Sequence, residues 1–216
     1  MNNEVKRIHT PLDDEVIKSL KPGDMVLLSG KIYCGRDAVL PKVCKLIKEN
    51  KLGDTDINLI GNVIFHTAVS PAGVGPTSSN KLEIESSFPL LSKAGVKVHL
   101  GKGAVGKETI EILKKYNSVY AVIPPVTALL GENTLSRKVI AFSELGMEAL
   151  YELEIRDYPI IIAAAHGESI DEKAYDTYAF FKGFLKNALC NCKALSIYRR
   201  KSYIEHTYPL KEIQSR

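Results

Sequence analysis

The sequence predicts an α/β domain, on three observations. Short apolar runs suited to strands recur at residues 25–29, 62–68, 96–100 and 118–124. Segments with apolar residues at helical spacing lie between them. Two further runs, residues 150–156 and 160–165, follow each other with only Asp157-Tyr158-Pro159 between them, which argues against a purely doubly wound sheet.

Taken in order, Pro11-Leu12-Asp13-Asp14 reads as the start of a short helix, with Asp13 or Asp14 as cap and Val16, Ile17 and Leu20 inward. Lys21-Pro22-Gly23-Asp24 is a turn before the first strand. Residues 30–36 continue as a second short strand or a loop. Residues 37–50 place Val39, Val43, Leu46 and Ile47 on one helical stripe, with Pro41 tolerated only in the first turn. After the strand at 62–68, residues 69–80 form a loop rich in Gly, Pro and Ser. A helix over 82–94 stops at Gly95, and a helix over 107–116 separates the last two early strands. Residues 171–189 read as a long helix. The domain is expected over 1–174, with a helical, basic extension over 175–216.

The chain has 216 residues, 45% apolar and 25% charged, an ordinary globular composition that excludes global disorder. No apolar run approaches the roughly 18–20 residues of a membrane span. The N-terminal residues lack an apolar signal segment, so a cytoplasmic location is expected. Net charge is +4, yet residues 186–216 carry seven Lys/Arg against two Asp/Glu, so the rest of the chain is near neutral. That tail reads as solvated surface, and nucleic acid is not the expected partner. Cys34, Cys44, Cys190 and Cys192 lack the clustered spacing of a metal site, so no metal is expected on this chain.

Three loops offer donors to an anion, each after an apolar strand. In Gly35-Arg36-Asp37 the guanidinium can grip a carboxylate with two parallel hydrogen bonds. Asp37 either orients it or caps the next helix; the alternative is a surface Arg beside a cap. The second loop spans residues 72–81 and contains Gly73, Gly75, Thr77, Ser78 and Lys81 just before a helix, either an anion cradle or a plain turn. It lacks the Gly-Lys-Ser/Thr ending of a nucleotide-binding loop. In Gly101-Lys102-Gly103 one ammonium stands between two glycines, as a placed point charge or a solvated turn residue. His66 and His166 read as structural residues within reach of a site.

Together and in order, these segments resemble the β component of class I fumarases and L-tartrate dehydratases. The resemblance rests on Gly23-Asp24-Met25-Val26-Leu27-Leu28-Ser29-Gly30, Arg36-Asp37-Ala38, Gly75-Pro76-Thr77-Ser78, Gly101-Lys102-Gly103 and Leu145-Gly146-Met147-Glu148-Ala149, across roughly residues 11–170. It implies a three-layer β/β/α swivelling domain, and a chain that is half of a hydro-lyase. The implied reaction is reversible hydration of fumarate to malate, or dehydration of L-tartrate. A four-iron–four-sulfur cluster would be carried by an α subunit, in a heterotetramer, with a homodimer of β alone as the other arrangement. The resemblance assigns Thr77 as the base, and Arg36, Lys81, Lys102 and Ser78 as contacts to a small dicarboxylate. Asp37, Gly75, Gly101 and Gly103 support them. The chain departs from the family at Val39-Leu40-Pro41, where His is usual, at Ser78 for Thr, at Lys81 for Arg and at Ala165-His166 for Asp. Those departures also admit a non-catalytic anion-binding or scaffolding relative.

Overall fold

The computed structural model describes residues 5–70, 73–78, 81–123 and 127–170. The expected helix over 171–189, the basic tail and the boundary at 174 lie outside the described residues. Among the described residues there are ten strands: β1 (Lys6–His9), β2 (Met25–Cys34), β3 (Val63–Phe65), β4 (Thr67–Ser70), β5 (Gly73–Thr77), β6 (Val98–Gly101), β7 (Val119–Val122), β8 (Thr134–Ala141), β9 (Leu150–Ala165) and β10 (Glu168–Ser169). The helices are α1 (Asp14–Ser19), α2 (Leu40–Lys48), α3 (Lys81–Lys93), α4 (Lys107–Lys115) and α5 (Thr127–Glu132). The mixed α/β class is as the sequence predicts, and strands dominate it.

The main sheet closes on itself. β2, β3, β6 and β7 run parallel in that spatial order, and β9 pairs antiparallel with both β7 and β2. The result is a ring of five strands, with β1 on β2, and β8 and β10 on β9. Period-two alternation divides its side chains between two environments. Val26, Leu28, Ile32, Phe65, Val98, Leu100, Val119, Ala121, Leu153 and Ile160 join one buried cluster with Ile17 and Leu20 of α1. Their neighbours Tyr33 and Ile64 join a second cluster with Leu40 and Val43 of α2 and Leu91 of α3. Truncating a fully buried member such as Ile32 to Ala costs about 2–5 kcal/mol.

The structure corrects the element boundaries at four places. Residues 25–36 hold one strand rather than two, because Gly30 at φ 102° lets β2 shift register between Leu28 and Gly30 without ending. A Cβ at Gly30 would strike the Thr10 hydroxyl and the His9 ring. Asp157-Tyr158-Pro159 is not a turn between two strands. It is a bend inside the 16-residue β9, where Leu28 faces Tyr158 and Leu27 faces Pro159. The backbone N–H of Asp157 donates to the Ser29 hydroxyl at 2.9 Å, and the fully buried Tyr158 donates its O–H to the Leu130 carbonyl at 3.0 Å. Turn-like composition is overridden there by pairing with β2 and by the Tyr158 hydrogen bond. The expected loop at 69–80 contains the hairpin β4–β5, and β8 forms where no strand was expected. Asp13 caps α1 through Val16 N at 2.7 Å, and Gly95 at φ 111° follows α3, both as the sequence indicates.

Candidate functional site at the carboxyl ends of the parallel strands

Three adjacent parallel strands deliver three loops to one rim. β2 ends at Cys34 and releases Gly35-Arg36-Asp37; β3 ends at Phe65 and releases His66; β6 ends at Gly101 and releases Lys102. Gly35 N donates to Phe65 O at 3.1 Å and His66 N to Leu100 O at 2.9 Å, so the strand ends are locked side by side. The carboxyl edge of a parallel sheet is where α/β folds place ligands.

A cavity of about 360 Å³ opens at this rim. Ser78, Lys102, Gly101 and Gly103 line it together with His66, Glu85 and Tyr120. Ser78 is buried and ties the loops together. Its N–H donates to the His66 carbonyl at 3.0 Å, and its hydroxyl donates to the two Asp37 carboxylate oxygens at 3.0 and 3.2 Å. Asp37 is thus bonded from the hairpin and does not cap α2, whose N-cap position is Val39, without a side-chain cap.

Arg36 stands beside Asp37 but is not among the residues lining the cavity. Its Nε donates to Glu148 Oε1 at 2.5 Å, its Nη2 pairs with the same oxygen, and Glu148 Oε2 also accepts from Ala38 N at 3.4 Å. Two motifs more than a hundred residues apart therefore meet in one ion pair. Thr77, half-buried, ends β5 opposite Thr67 and immediately precedes Ser78; it does not line the cavity either. Lys81 opens α3. Gly75 lies in the hairpin, where a Cβ would come within 3.0 Å of the Ala68 carbonyl, and Thr67 Oγ1 donates to its carbonyl at 2.7 Å.

The Lys102 loop is held from two sides. Tyr120 donates its hydroxyl to the Lys102 carbonyl at 2.9 Å, and a Cβ on Gly101 would approach that hydroxyl to 2.7 Å. Gly103 adopts φ 72°, a conformation that suits glycine. Glu85 of α3 accepts from Gly106 N at 2.9 Å and from the Thr109 hydroxyl, so its carboxylate caps α4 from a distance.

A buried aromatic and imidazole stack reaches the cavity through His66 and Phe88. Phe88 packs face to face with His99 at 3.9 Å between ring centres and with His66 at 5.1 Å. His66 Nε2 and His99 Nδ1 share a hydrogen bond of 3.3 Å, and His99 Nε2 meets the Ser92 hydroxyl at 2.9 Å. Both histidines have no solvent exposure. Burial pushes His66 down to about 3, and burial with the neighbouring His66 holds His99 well below the usual imidazole range, so both are neutral at pH 7. His66 Nδ1 is buried without a hydrogen-bond partner. Leaving such an atom unsatisfied costs about 1–3 kcal/mol.

Sequence reasoning missed Glu85, Tyr120, Glu148 and the His99–Ser92 pair as parts of the site. Glu148 lies inside the motif at residues 145–149, where the sequence alone gives it no role. Tyr120 and His99 sit within apolar strands, where only the pairing of β6 with β7 reveals them. His166, by contrast, bonds through Nε2 to the Leu20 carbonyl at 2.9 Å and does not line the cavity.

Among the described residues, no group of three or more His, Cys, Asp or Glu is arranged to hold a metal. Cys34 and Cys44 are buried, and burial pushes both thiols up, which opposes the thiolate a metal requires. Cys190 and Cys192 lie outside the described residues. Among the described residues, no helix is long and apolar enough to cross a membrane.

A family model described as "Fumarase C-terminus" matches residues 2–174. The chain is 34% identical over 172 residues to a Methanocaldococcus jannaschii protein described as "Putative L(+)-tartrate dehydratase subunit beta", covering 73% of this chain and 86% of that one. It is 28% identical over 181 residues to the L(+)-tartrate dehydratase subunit beta of Escherichia coli K12, covering 76% and 86%. It is 27% identical over 178 residues to a Geobacillus stearothermophilus protein described as "Putative fumarate hydratase class I", covering 76% of this chain but 33% of that longer one.

Proposed function

The chain belongs to the family described as fumarase C-terminus, and from that premise we propose that it is the β subunit of a hydro-lyase acting on a small dicarboxylate. The leading reaction is reversible hydration of fumarate to malate. L-tartrate dehydration is the second reading, favoured by the names of two relatives that the chain matches over most of their length.

The observation that supports this reading best is the convergence at one rim. Ser78 and Lys102 share a cavity, and the Ser78–Asp37 hydrogen bonds bring the Arg36 loop beside it. Withdrawing a proton next to a carboxylate builds negative charge on that carboxylate, and cations already aimed at it lower the barrier. On this reading Lys102 and Arg36 bind and orient the two carboxylates, with Lys81 as a further cation at the start of α3. Thr77 stands as the base at the substrate carbon: its Oγ1 accepts that proton as its own hydroxyl proton passes to a carboxylate or a water of the assembled site. Gly75 and Gly101 let backbone approach where a side chain would intrude, and Gly103 supplies the positive φ of the Lys102 loop.

The described cysteines do not fit an iron–sulfur cluster, so we assign the four-iron–four-sulfur group to an α subunit in a cytoplasmic heteromeric enzyme. When bound there, such a cluster supplies Lewis-acid chemistry to the leaving hydroxyl.

Co-expression with an α-type partner under anaerobic conditions tests the proposal. Turnover of fumarate, malate or tartrate, followed by ultraviolet absorbance, is expected only with both chains. Thr77→Ala and Arg36→Met should each lower it by orders of magnitude without dissolving the assembly. A loaded cluster with no turnover of any dicarboxylate would leave a non-catalytic anion-binding protein as the better description.

A further inference from the structure

We propose that His66 is a substrate-binding residue, presenting a neutral Nδ1–H to a carboxylate oxygen, and that His99 and Ser92 are positioning residues that fix its tautomer. The inference rests on the dicarboxylate reading above and deepens it.

The geometry carries the assignment. His66 leaves β3 at the rim, lines the same cavity as Lys102 and Ser78, and is fully buried. Its Nε2 is engaged with His99, while Nδ1, across the ring from that contact, has no partner. His66 lines the cavity, and a buried polar atom on it without a protein partner points to a ligand as the missing partner.

Proton placement along the chain of bonds has only two consistent solutions. In one, the Ser92 hydroxyl donates to His99 Nε2, His99 Nδ1–H donates to His66 Nε2, and His66 Nδ1 carries a proton outward. In the other, every direction reverses and His66 Nδ1 offers a lone pair. An ionised carboxylate only accepts, so it selects the first. No atom gains or loses net charge, which suits imidazoles stacked around Phe88 and shielded from water. A neutral donor adds direction to the charge that Lys102 supplies, without repelling it as an imidazolium would.

The test uses the full chain, co-purified with its α partner, and three variants. His66→Phe keeps a ring stacked on Phe88 but removes both nitrogens. Ser92→Ala keeps His66 and removes the hydroxyl that orients His99. Lys102→Met is the control for the site. His66→Phe should raise the KM for fumarate and for malate alike by about 10–100-fold, with kcat changed far less, the loss expected of one hydrogen bond to a charged group. Ser92→Ala should raise both in the same direction by a smaller factor. Nitrogen NMR of the ¹⁵N-histidine-labelled full chain should show His66 Nδ1 protonated, its resonance moving when fumarate is added.

Fumarate has no hydroxyl, so a His66→Phe effect confined to malate would overturn a carboxylate contact. An unprotonated Nδ1 in the fumarate complex would overturn the tautomer. Fumarate affinity lost in Lys102→Met but intact in His66→Phe would overturn the role of His66 and leave the functional reading standing. Wild-type enzyme with a loaded cluster that binds no dicarboxylate would sink that reading, and this inference with it.

Discussion

The Ser78 hydroxyl donates to both carboxylate oxygens of Asp37, at 3.0 and 3.2 Å, joining the end of one hairpin to the loop after β2. Because Ser78 is buried, Ser78→Ala strips a charged acceptor of a shielded partner. The expected cost is about 1–3 kcal/mol, read from the urea midpoint, with a fall in kcat/KM. Ser78→Thr keeps the hydroxyl and should retain most of both. Equal losses in the two variants would show that bulk, not the hydrogen bond, governs this position.

Arg36 and Glu148 give a second expectation. The pair is part-exposed, so Glu148→Gln should change stability by less than about 1 kcal/mol. Its effect should fall on orientation, lowering kcat/KM about tenfold, equivalent to about 1.4 kcal/mol. Arg36→Lys should cost more. A single ammonium cannot hold Glu148 as Nε and Nη2 do and still offer a further nitrogen to a ligand. Steady-state kinetics on the assembled enzyme separates the two.

Gly101→Ala tests the packing of the Lys102 loop. The new methyl would come within 2.7 Å of the Tyr120 hydroxyl that bonds the Lys102 carbonyl. Overpacking of this kind costs about 1–3 kcal/mol. Adding Tyr120→Phe removes the clashing oxygen, so the double variant should be more stable than the sum of the single effects. Thermal melts of the four proteins close that cycle.

The buried histidines set an acid limit. His66 is depressed to about 3 in the fold and titrates near 6.5 when unfolded, so the unfolded chain binds the extra proton first. Its contribution is complete above about pH 6.5 and declines as pH falls toward 3, by about 1.4 kcal/mol per unit in that window. Urea midpoints should drop between pH 6.5 and 4.5. The slope should flatten in His66→Phe, whose ring cannot protonate.

Local chemistry made much of the fold legible. Asp13 and Gly95 mark helix ends by capping and by left-handed backbone, and the short apolar runs mark β3, β6 and β7. What stayed hidden was set by partners distant in sequence. Asp157-Tyr158-Pro159 has turn composition, yet β2 on one side and the Tyr158 hydrogen bonds on the other keep it in a strand. The candidate site divides the same way. Ser78 and Lys102 announced themselves through glycine-flanked loops and line the cavity. Tyr120 and His99 looked like ordinary strand residues because their meaning depends on which strands are neighbours. The Glu148 grip on Arg36 was beyond reach for the same reason.

The closed ring makes the sheet a ruler. Neighbouring strands are spaced by about 4.8 Å, so the backbones leading to Arg36, His66 and Lys102 stand at fixed intervals over about 10 Å. β9 seals the ring from β7 back to β2, so none of the three can slide without breaking a ladder on each side. The span between charged groups is therefore dictated by hydrogen-bonded backbone, and a change in preferred molecule has to come from swapping side chains rather than from stretching the frame.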